Sequence, residues 1–323
     1  MRAEERRIGR VERLLHLRRV PIIGTLPPEE LALVAEQGRI RLFRQGEALL
    51  RRGEPIGAVF VVLEGRVHLR RGDHELGHAT AGGGVGGLGF LARDDEGIDA
   101  ICETETLTLE IDTDTLGEIL EDRFPVLQHL LRETTRLLVD LWHRAPRECV
   151  TAAPAPTAAG FERRLDLVER MLFLRQGLPF LRSSAAALAD LARNVVELEF
   201  EPGVVLWRQG EPARQVLMLV SGEVRCTAPI PGFFLQPTSG FPLGGLDAVA
   251  GVPRWYDAVC AGPVVMLSGD VEMLFDLFED SAAVALDYLA QIAQHQLRSL
   301  ELIAGGDRRS LLLPFFGSDV AAH

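Results

Sequence analysis

The chain has 323 residues, 47% of them hydrophobic, which is enough for about two domains with sizeable cores. Its formal net charge of −12 disfavours a general binder of nucleic acid or anionic membranes, because such affinity comes from neutralising phosphates with Lys and Arg. No apolar run approaches the roughly 18 residues that a transmembrane helix needs, so the sequence predicts no membrane span.

The first predicted element is an Arg-rich amphipathic helix. Its segment VERLLHLR at Val11–Arg18 recurs 157 positions later as VERMLFLR at Val168–Arg175. An Arg-rich amphipathic start is also typical of a removable transit peptide. Because the same segment is repeated inside the chain, we interpret the first copy as part of a domain rather than as a targeting signal.

Further segments recur in the same order, which indicates an internal repeat. The matching pairs are RRGEP at 51–55 with RQGEP at 208–212, VLEGRV at 62–67 with LVSGEV at 219–224, and, after one inserted residue, DAIC at 99–102 with DAVC at 257–260. Two copies of one domain are therefore expected to follow one another.

Each copy predicts short strands followed by helix. Apolar and polar residues alternate in segments such as VELEF at 196–200, and Gly-containing turns separate these segments at the spacing of an antiparallel barrel or sandwich. Apolar residues at spacings of three and four predict closing helices over about 115–142 and 271–303. We therefore predict an α+β, mainly β fold with two tandem antiparallel β-barrel or jelly-roll domains, each flanked by N- and C-terminal helices.

The repeat also sets the predicted domain boundaries. The first domain covers residues 1–145 and the second covers 167–305, with a C-terminal tail at 306–323. Residues 146–166 include the Pro- and Ala-rich stretch TAAPAPTAAG, which lacks periodicity and is typical of a linker.

Two segments carry a resemblance to a known family: RLFRQGEALLRRGEPIGAVFVVLEGRVHL in the first copy and LEFEPGVVLWRQGEPARQVLMLVSGEVRC in the second. They resemble the first strands of the cyclic nucleotide-binding domain, which occurs in regulatory subunits of protein kinase A and in bacterial catabolite-activator-type regulators. The turn glycines of the family match three positions in each copy, namely Gly46, Gly53 and Gly65, and Gly203, Gly210 and Gly222. With the flanking helices, the resemblance covers about residues 10–145 and 167–304.

The stretch GGGVGGLGF at residues 82–90 spells G-x-G-x-x-G, the fingerprint of dinucleotide-binding folds. A strand-like alternation follows it instead of an apolar helix, which disfavours a Rossmann site. The resemblance implies that this stretch is the phosphate-binding cassette of the family. There, backbone N–H groups face the cyclic phosphate, an Arg binds the phosphate, and a Glu accepts a hydrogen bond from the ribose.

The candidate cassette residues follow from this resemblance. They are Gly86, Gly87 and Leu88 in the first copy, and Gly244, Gly245, Leu246, Arg254 and Tyr256 in the second. Both copies have Gly where the family has its Glu, so both cassettes are degenerate. We expect the first cassette to be non-functional.

The position of the cassette arginine is open to two alignments. Counting from the glycines gives Glu96 in the first copy and Arg254 in the second, whereas counting back from the following Ala gives Ile98 and Tyr256. Hydrogen bonds to charged groups contribute roughly 1.5–3 kcal/mol each, so losing the Glu and the Arg together weakens cyclic AMP binding by about a hundred- to ten-thousand-fold. We expect the substitution Arg254→Ala to leave the fold nearly unchanged.

Other chemistry-bearing residues predict structure rather than catalysis. The four cysteines show no C-x-x-C spacing and the eight histidines show no ligand spacing, which favours buried thiols in a reducing cytoplasmic protein without a metal site. Asp99 and Asp257 are repeated but have no partner His or nucleophile, so we interpret them as structural or solvent-facing. We therefore expect that the chain is not an enzyme.

Among the remaining function classes, we favour a non-catalytic regulatory or scaffold protein without a cofactor and without a nucleic-acid partner. It would bind a protein partner or a second copy through the closing helices, where Leu130, Leu137 and Leu141 would otherwise stay partly exposed. The alternative is a sensor of a different nucleotide, such as a cyclic dinucleotide, through the second domain. A catabolite-activator-type transcription factor needs a helix-turn-helix after the sensor, and the residues after the last long helix are too few to form one.

Overall fold

The computed structural model describes residues 9–20, 22–144, 164–176, 184–229, 234–235, 237 and 239–304. The chain divides into two compact units, one up to Leu130 and one from Leu131 onward. The division falls inside a long helix, so the C-terminal part of that helix belongs to the second unit.

The first unit contains short helices on either side of eight described strands. The helices are α1 (Arg10–Leu17), α2 (Pro28–Gln37), α3 (Gly87–Ala92), α4 (Thr113–Asp122) and the start of α5 (Phe124–Arg144). The strands are β1 (Arg39–Phe43), β2 (Ala48–Leu50), β3 (Ala58–Glu64), β4 (Val67–Arg71), β5 (His74–Ala79), β6 (Gly84–Val85), β7 (Asp99–Cys102) and β8 (Thr106–Asp112).

These strands form two four-stranded sheets in the orders β1-β8-β3-β6 and β2-β7-β4-β5, and the pairs are antiparallel. This is the strand order of a jelly roll, and among the described strands no ladder joins the two sheets into a closed barrel. Alternate residues of β3, Phe60 and Val62, pack with Val67, Val85 and Cys102 into one buried cluster.

The second unit repeats this set of elements. Its helices are the rest of α5, α6 (Leu167–Gln176), α7 (Ala185–Asn194), α8 (Gly245–Ala250), α9 (Val271–Asp280) and α10 (Ala282–Ala304). Its strands are β9 (Val196–Phe200), β10 (Val205–Trp207), β11 (Gln215–Ser221), β12 (Val224–Thr227), β13 (Phe234–Leu235), β14 (Pro242–Leu243), β15 (Asp257–Cys260) and β16 (Val264–Asp270).

The sheets of the second unit have the orders β9-β16-β11-β14 and β10-β15-β12-β13, which match those of the first unit strand for strand. The predicted α+β, mainly β fold with two jelly-roll domains is therefore confirmed. The predicted linker covers residues 146–166, of which 146–163 lie outside the described residues, whereas the contacts divide the chain after Leu130.

The repeated aspartates occupy equivalent places in the two units. Asp99 Oδ1 accepts a hydrogen bond from the backbone N–H of Arg52 at 3.2 Å. In the same way, Asp257 Oδ1 accepts one from the backbone N–H of Gln209 at 2.6 Å. Each carboxylate therefore ties strand β7 or β15 to the R-x-G-E-P turn that follows β2 or β10.

Each segment that was predicted to form one closing helix forms two helices in the structure. The first is interrupted at Arg123, between α4 and α5, and the second at Ser281, between α9 and α10. Both residues have non-helical backbone angles, with φ of −122° and −143°. Asp112 and Asp270 cap the N-termini of α4 and α9, accepting hydrogen bonds from backbone N–H groups of the first turn.

Among the described residues, no helix is both long and apolar enough to cross a membrane. Cys102, Cys226 and Cys260 are free and buried, as predicted for small apolar side chains. Cys149 lies outside the described residues.

Candidate functional site

The second cassette begins where β14 ends. Gly244 has φ of 68°, in the left-handed region, and a Cβ at this position would collide with the guanidinium of Arg254. Glycine is therefore needed at position 244 both for the backbone angle and for the close approach of Arg254. Gly245 and the half-buried Leu246 then start the short helix α8.

Arg254 is folded into the protein rather than exposed to solvent, with only 3% of its surface accessible. Its Nη1 donates to the carbonyl oxygen of Gly244 at 2.7 Å, and its Nη2 donates to that of Gln215 at 2.6 Å. The guanidinium carbon lies 4.1 Å from the centre of the Trp207 ring, in a cation–π contact. The groups that would bind a phosphate are therefore already used by protein atoms.

Asp247, on α8, is the counter-ion of Arg254. Its Oδ2 lies 3.7 Å from Arg254 Nη1, and its residue surface is 1% accessible. Neither carboxylate oxygen accepts a well-aligned hydrogen bond, although the Arg254 and Trp255 side chains lie beside the carboxylate. Burial raises the pKa of Asp247 to about 7, against the opposing effects of the Arg254 charge and the Trp255 side chain. Burial also lowers the pKa of Arg254, which the charge of Asp247 opposes.

Tyr256 closes the cassette from the other side. Its hydroxyl oxygen accepts a hydrogen bond from the backbone N–H of Gly244 at 3.0 Å. Its ring lies edge-on to those of Trp207 and Trp255, with centroid distances of 5.5 and 4.9 Å. Complete burial raises the pKa of the Tyr256 hydroxyl well above its usual value, so this group is neutral. The Tyr256 hydroxyl is therefore the hydrogen-bond acceptor for the first backbone N–H group of the cassette.

One hydrogen bond in each unit shows which residue of the first unit corresponds to Arg254. The backbone N–H of Gly210 donates to the carbonyl oxygen of Arg254 at 2.8 Å, and that of Gly53 donates to the carbonyl oxygen of Glu96 at 2.9 Å. Glu96 and Arg254 therefore occupy equivalent positions. The first unit has an acid where the second has its buried arginine.

The first cassette has the same backbone course. Gly86 has φ of 87° and precedes α3, which begins with Gly87 and the half-buried Leu88. Among the described residues, no hydrogen bond joins an arginine side chain to Gly86 as one joins Arg254 to Gly244. Glu96, at the position equivalent to Arg254, has other partners. Its carboxylate forms ion pairs with Arg52 at 2.6 Å and with Arg71 at 3.2 Å.

Arg71, at the end of β4, holds the loop that follows the first cassette, and the sequence analysis missed it. Its guanidinium donates to both carboxylate oxygens of Asp94, at 2.5 and 3.0 Å, and to the carbonyl oxygen of Gly97 at 3.2 Å. Although burial raises the pKa of Asp94, the hydrogen bonds and charge of Arg71 lower it overall. An internal ion pair thus fixes this loop without a ligand.

Within the described ranges, no group of three His, Cys, Asp or Glu residues is placed to hold a metal ion. The second cassette brings together all five of its predicted residues around the Arg254–Asp247 pair. Asp247 had one signal in the sequence, since it is an acid within the otherwise apolar segment GLDAVA.

Residues 40–123 match the family model of the cyclic nucleotide-binding domain. The predicted resemblance to this family is confirmed. The match covers all but the first residue of β1, then β2–β8 and the whole of α4, and the second unit repeats the same strand order outside the matched residues. The family match is therefore shown for the first unit, and the second unit has the same strand order.

One curated relative is the acetyltransferase Pat of Mycolicibacterium smegmatis, which is 32% identical over 115 residues. The match spans 35% of this chain and 34% of the relative, so about a third of each protein is compared.

Two solved structures are also similar. The regulatory domain of Toxoplasma gondii PKA with cAMP is 16% identical, with a TM-score of 0.34, over 90% of this chain and 98% of that one. The cAMP-binding acyltransferase of Mycobacterium smegmatis is 24% identical, with a TM-score of 0.31, over 42% of this chain and 41% of that one.

The expectation that the chain is not an enzyme is wrong as an inference from its cyclic nucleotide-binding domains. The curated relative that shares such a segment is an acetyltransferase. Domains of this kind therefore occur in proteins that also have a catalytic activity, and their presence does not exclude one.

Proposed function

We propose that the chain is a regulatory protein whose two cyclic nucleotide-binding-like domains act through contacts with another protein and do not bind cyclic AMP in the usual way. The observation that carries this proposal is the state of Arg254. Its guanidinium is paired with Asp247 and donates to the Gly244 and Gln215 carbonyl oxygens. A cyclic phosphate would have to displace these partners.

The first unit supports the same proposal. Glu96 stands at the position equivalent to Arg254, and its negative charge would repel a phosphate. Gly87 and Gly245 both lack the carboxylate that the family resemblance assigns to ribose binding. Neither cassette therefore has the pair of charged contacts on which cyclic AMP affinity depends.

The partner surface that we propose lies on the closing helices. On α5, within the second unit, Leu137 is 38% exposed, whereas its neighbour Leu138 is completely buried. On α10, Leu300 is exposed to a similar extent. A partner of this chain, including a catalytic domain such as the curated relative contains, would cover these leucines.

We also propose that the protein works without a cofactor in a reducing compartment such as the cytoplasm. The support is that Cys102, Cys226 and Cys260 are free and buried. Reaction of the native protein with a thiol reagent, before and after unfolding, tests this, because disulfides in the unfolded protein would contradict it.

Calorimetric titration tests the binding part of the proposal. We expect neither cyclic AMP nor cyclic GMP to bind with a dissociation constant below about 1 μM, which corresponds to about −8 kcal/mol. The matched experiment uses the Gly245→Glu variant, which restores the ribose-binding acid beside the same arginine. A dissociation constant below about 1 μM for either nucleotide with the wild-type protein would contradict the proposal.

The second candidate function is a sensor of another nucleotide through the second cassette. It is favoured by Asp247, whose two carboxylate oxygens accept no well-aligned hydrogen bond, and by the unbonded Nε of Arg254. Thermal-shift screening against cyclic mono- and dinucleotides, with the wild type and Arg254→Ala, separates the two functions. A stabilisation of several degrees that occurs only in the wild type would favour the sensor.

A further inference from the structure

The second unit contains a cavity of about 110 Å³ between one sheet and the helices that pack on it. Met218 lies opposite Leu267 and Val216 lies opposite Gly269 in the ladder of β11 and β16, and all four line the cavity. Strand residues alternate between the two faces of a sheet, so Leu217 faces the space between the two sheets instead. The cavity is therefore outside the jelly-roll interior.

The cavity has apolar and aromatic walls. Besides the strand residues, its lining includes Trp142, Trp255, Tyr288, Leu191, Leu274 and Ile292. Two aspartates, Asp247 and Asp270, are among its lining residues, and the Asp270 carboxylate already accepts a hydrogen bond from the backbone N–H of Glu272. This combination of mostly apolar walls with one or a few polar groups is typical of small-molecule sites.

The unsatisfied oxygens of Asp247 give the cavity a chemical preference. Both oxygens are buried and accept no well-aligned hydrogen bond, and a buried acceptor without a good donor is unfavourable. Arg254 already compensates the charge of Asp247. A second cation would therefore leave an uncompensated buried charge, whereas a neutral O–H or N–H donor would not.

Size sets the second preference. An apolar protein cavity of about 150 Å³ holds one benzene ring. The cavity here is slightly smaller, at about 110 Å³, so it fits one six-membered ring after small side-chain movements but no nucleotide.

We propose that this cavity is a binding site for a small neutral monocyclic aromatic molecule with one hydroxyl or amine donor, which Asp247 accepts. The ring lies among Trp142, Trp255 and Ile292. The ligand thereby contacts α8, the cassette helix, and α10, the closing helix, so its binding links these two elements of the second unit. The cassette residues Gly244, Gly245 and Leu246 also line the cavity, so this site adjoins the second cassette, but the inference does not depend on the proposed function.

Fluorine NMR with para-fluorophenol as the probe tests the proposal on the full chain, with fluorobenzene as the comparison that lacks a donor. We expect para-fluorophenol to bind with a dissociation constant below about 1 mM. Fluorobenzene should bind at least about tenfold more weakly, because it offers nothing to the Asp247 carboxylate. The proposal is overturned if para-fluorophenol does not bind or if the two probes bind equally well.

Three variants locate the binding. Val216→Phe fills the cavity and should abolish binding, whereas Val205→Phe makes the same change on exposed β10 and should retain it. Asp247→Asn replaces a charged acceptor with a neutral one and should weaken para-fluorophenol binding about tenfold, with little effect on fluorobenzene. If Val216→Phe does not fold, as judged by circular dichroism, Asp247→Asn alone decides. Unchanged affinity in Asp247→Asn, or a crystal structure with only water in the cavity, would overturn the proposal.

Discussion

At the scale of single residues, burial changes what the cassette arginine is expected to do. The sequence suggested that Arg254→Ala would leave the fold nearly unchanged. In the structure Arg254 is buried, carries two hydrogen bonds to carbonyl oxygens and faces Asp247. A buried ion pair that loses one partner leaves a charge without compensation, so Arg254 is also a structural residue.

A double-mutant cycle measures this pairing. We expect Arg254→Met to lower the free energy of unfolding by about 3 kcal/mol, because Asp247 is left buried without its counter-ion. The double variant Arg254→Met with Asp247→Leu should recover most of that loss, since an apolar pair of similar volume replaces the ion pair. Urea denaturation of the wild type, the two single variants and the double variant gives the coupling free energy between the two side chains. Additive losses would show that the two side chains do not stabilise one another.

The raised pKa of Asp247 predicts a pH dependence of stability. Asp247 has a pKa of about 7 in the folded protein, whereas an unfolded Asp has a pKa of about 4. Between these values the folded state binds more protons than the unfolded state. The stability contributed by this group is therefore fully present below about pH 4 and is lost as the pH rises towards 7.

The measurement compares the wild type with Asp247→Asn, which cannot titrate. The wild type should lose stability between about pH 4 and pH 7, whereas Asp247→Asn should not lose this contribution. The free energy of unfolding of the variant minus that of the wild type should therefore rise over this range, by at most about 4 kcal/mol. Parallel pH profiles of the two proteins would show that Asp247 does not titrate in this window.

At the scale of secondary-structure elements, the turn glycines differ in what they require. Gly65 has φ of 101°, and a Cβ at this position would lie 2.6 Å from the Glu105 carbonyl oxygen and 2.7 Å from Thr106 Cα. Gly53 has φ of 78° and open space around the same position. The positive φ disfavours a side chain in both turns. Only the turn between β3 and β4 also lacks the space for a Cβ atom.

We therefore expect Gly65→Ala to destabilise the first unit more than Gly53→Ala does. A left-handed backbone angle costs a non-glycine residue about 1 kcal/mol or more, and this applies to both variants. The backbone collision adds at least about 1 kcal/mol for Gly65→Ala alone. Chemical denaturation of both variants checks the order, and equal losses would show that the turn before β4 relaxes freely.

The elements were predictable from the sequence where periodicity and repetition agree. Alternation predicted β9, and the recurrence of R-x-G-E-P predicted equivalent turns in both units. The interruptions at Arg123 and Ser281 were missed, because apolar residues at helical spacing continue on both sides of them. The Arg71–Asp94 ion pair was missed because its partners lie 23 positions apart, in segments that resemble ordinary charged surface. Long-range pairing leaves no local pattern to detect.

At the scale of the whole molecule, the repeat has produced two units with one topology and different electrostatics. The strand orders of the four sheets match in pairs, yet equivalent positions hold Glu96 and Arg254. In the first unit an ion pair between Arg71 and Asp94 fixes the loop, and in the second the pair between Arg254 and Asp247 holds the cassette. Each cassette is thus stabilised by protein charges, which leaves protein contacts as the function that we propose.

Association through the closing helices is the prediction at this scale. Leu137 exposes 38% of its surface on α5 beside fully buried Leu138, and an exposed apolar side chain on a long helix is stabilised when a partner covers it. We expect light scattering to show a dimer, or affinity purification to recover a stoichiometric protein partner. Leu137→Asp should abolish either one, because association would bury an unpaired carboxylate. Leu42→Asp is the matched control, since Leu42 is 48% exposed but lies on strand β1, and it should leave association unchanged. A monomer without a partner, or equal association of both variants with the wild type, would contradict this assignment of the surface.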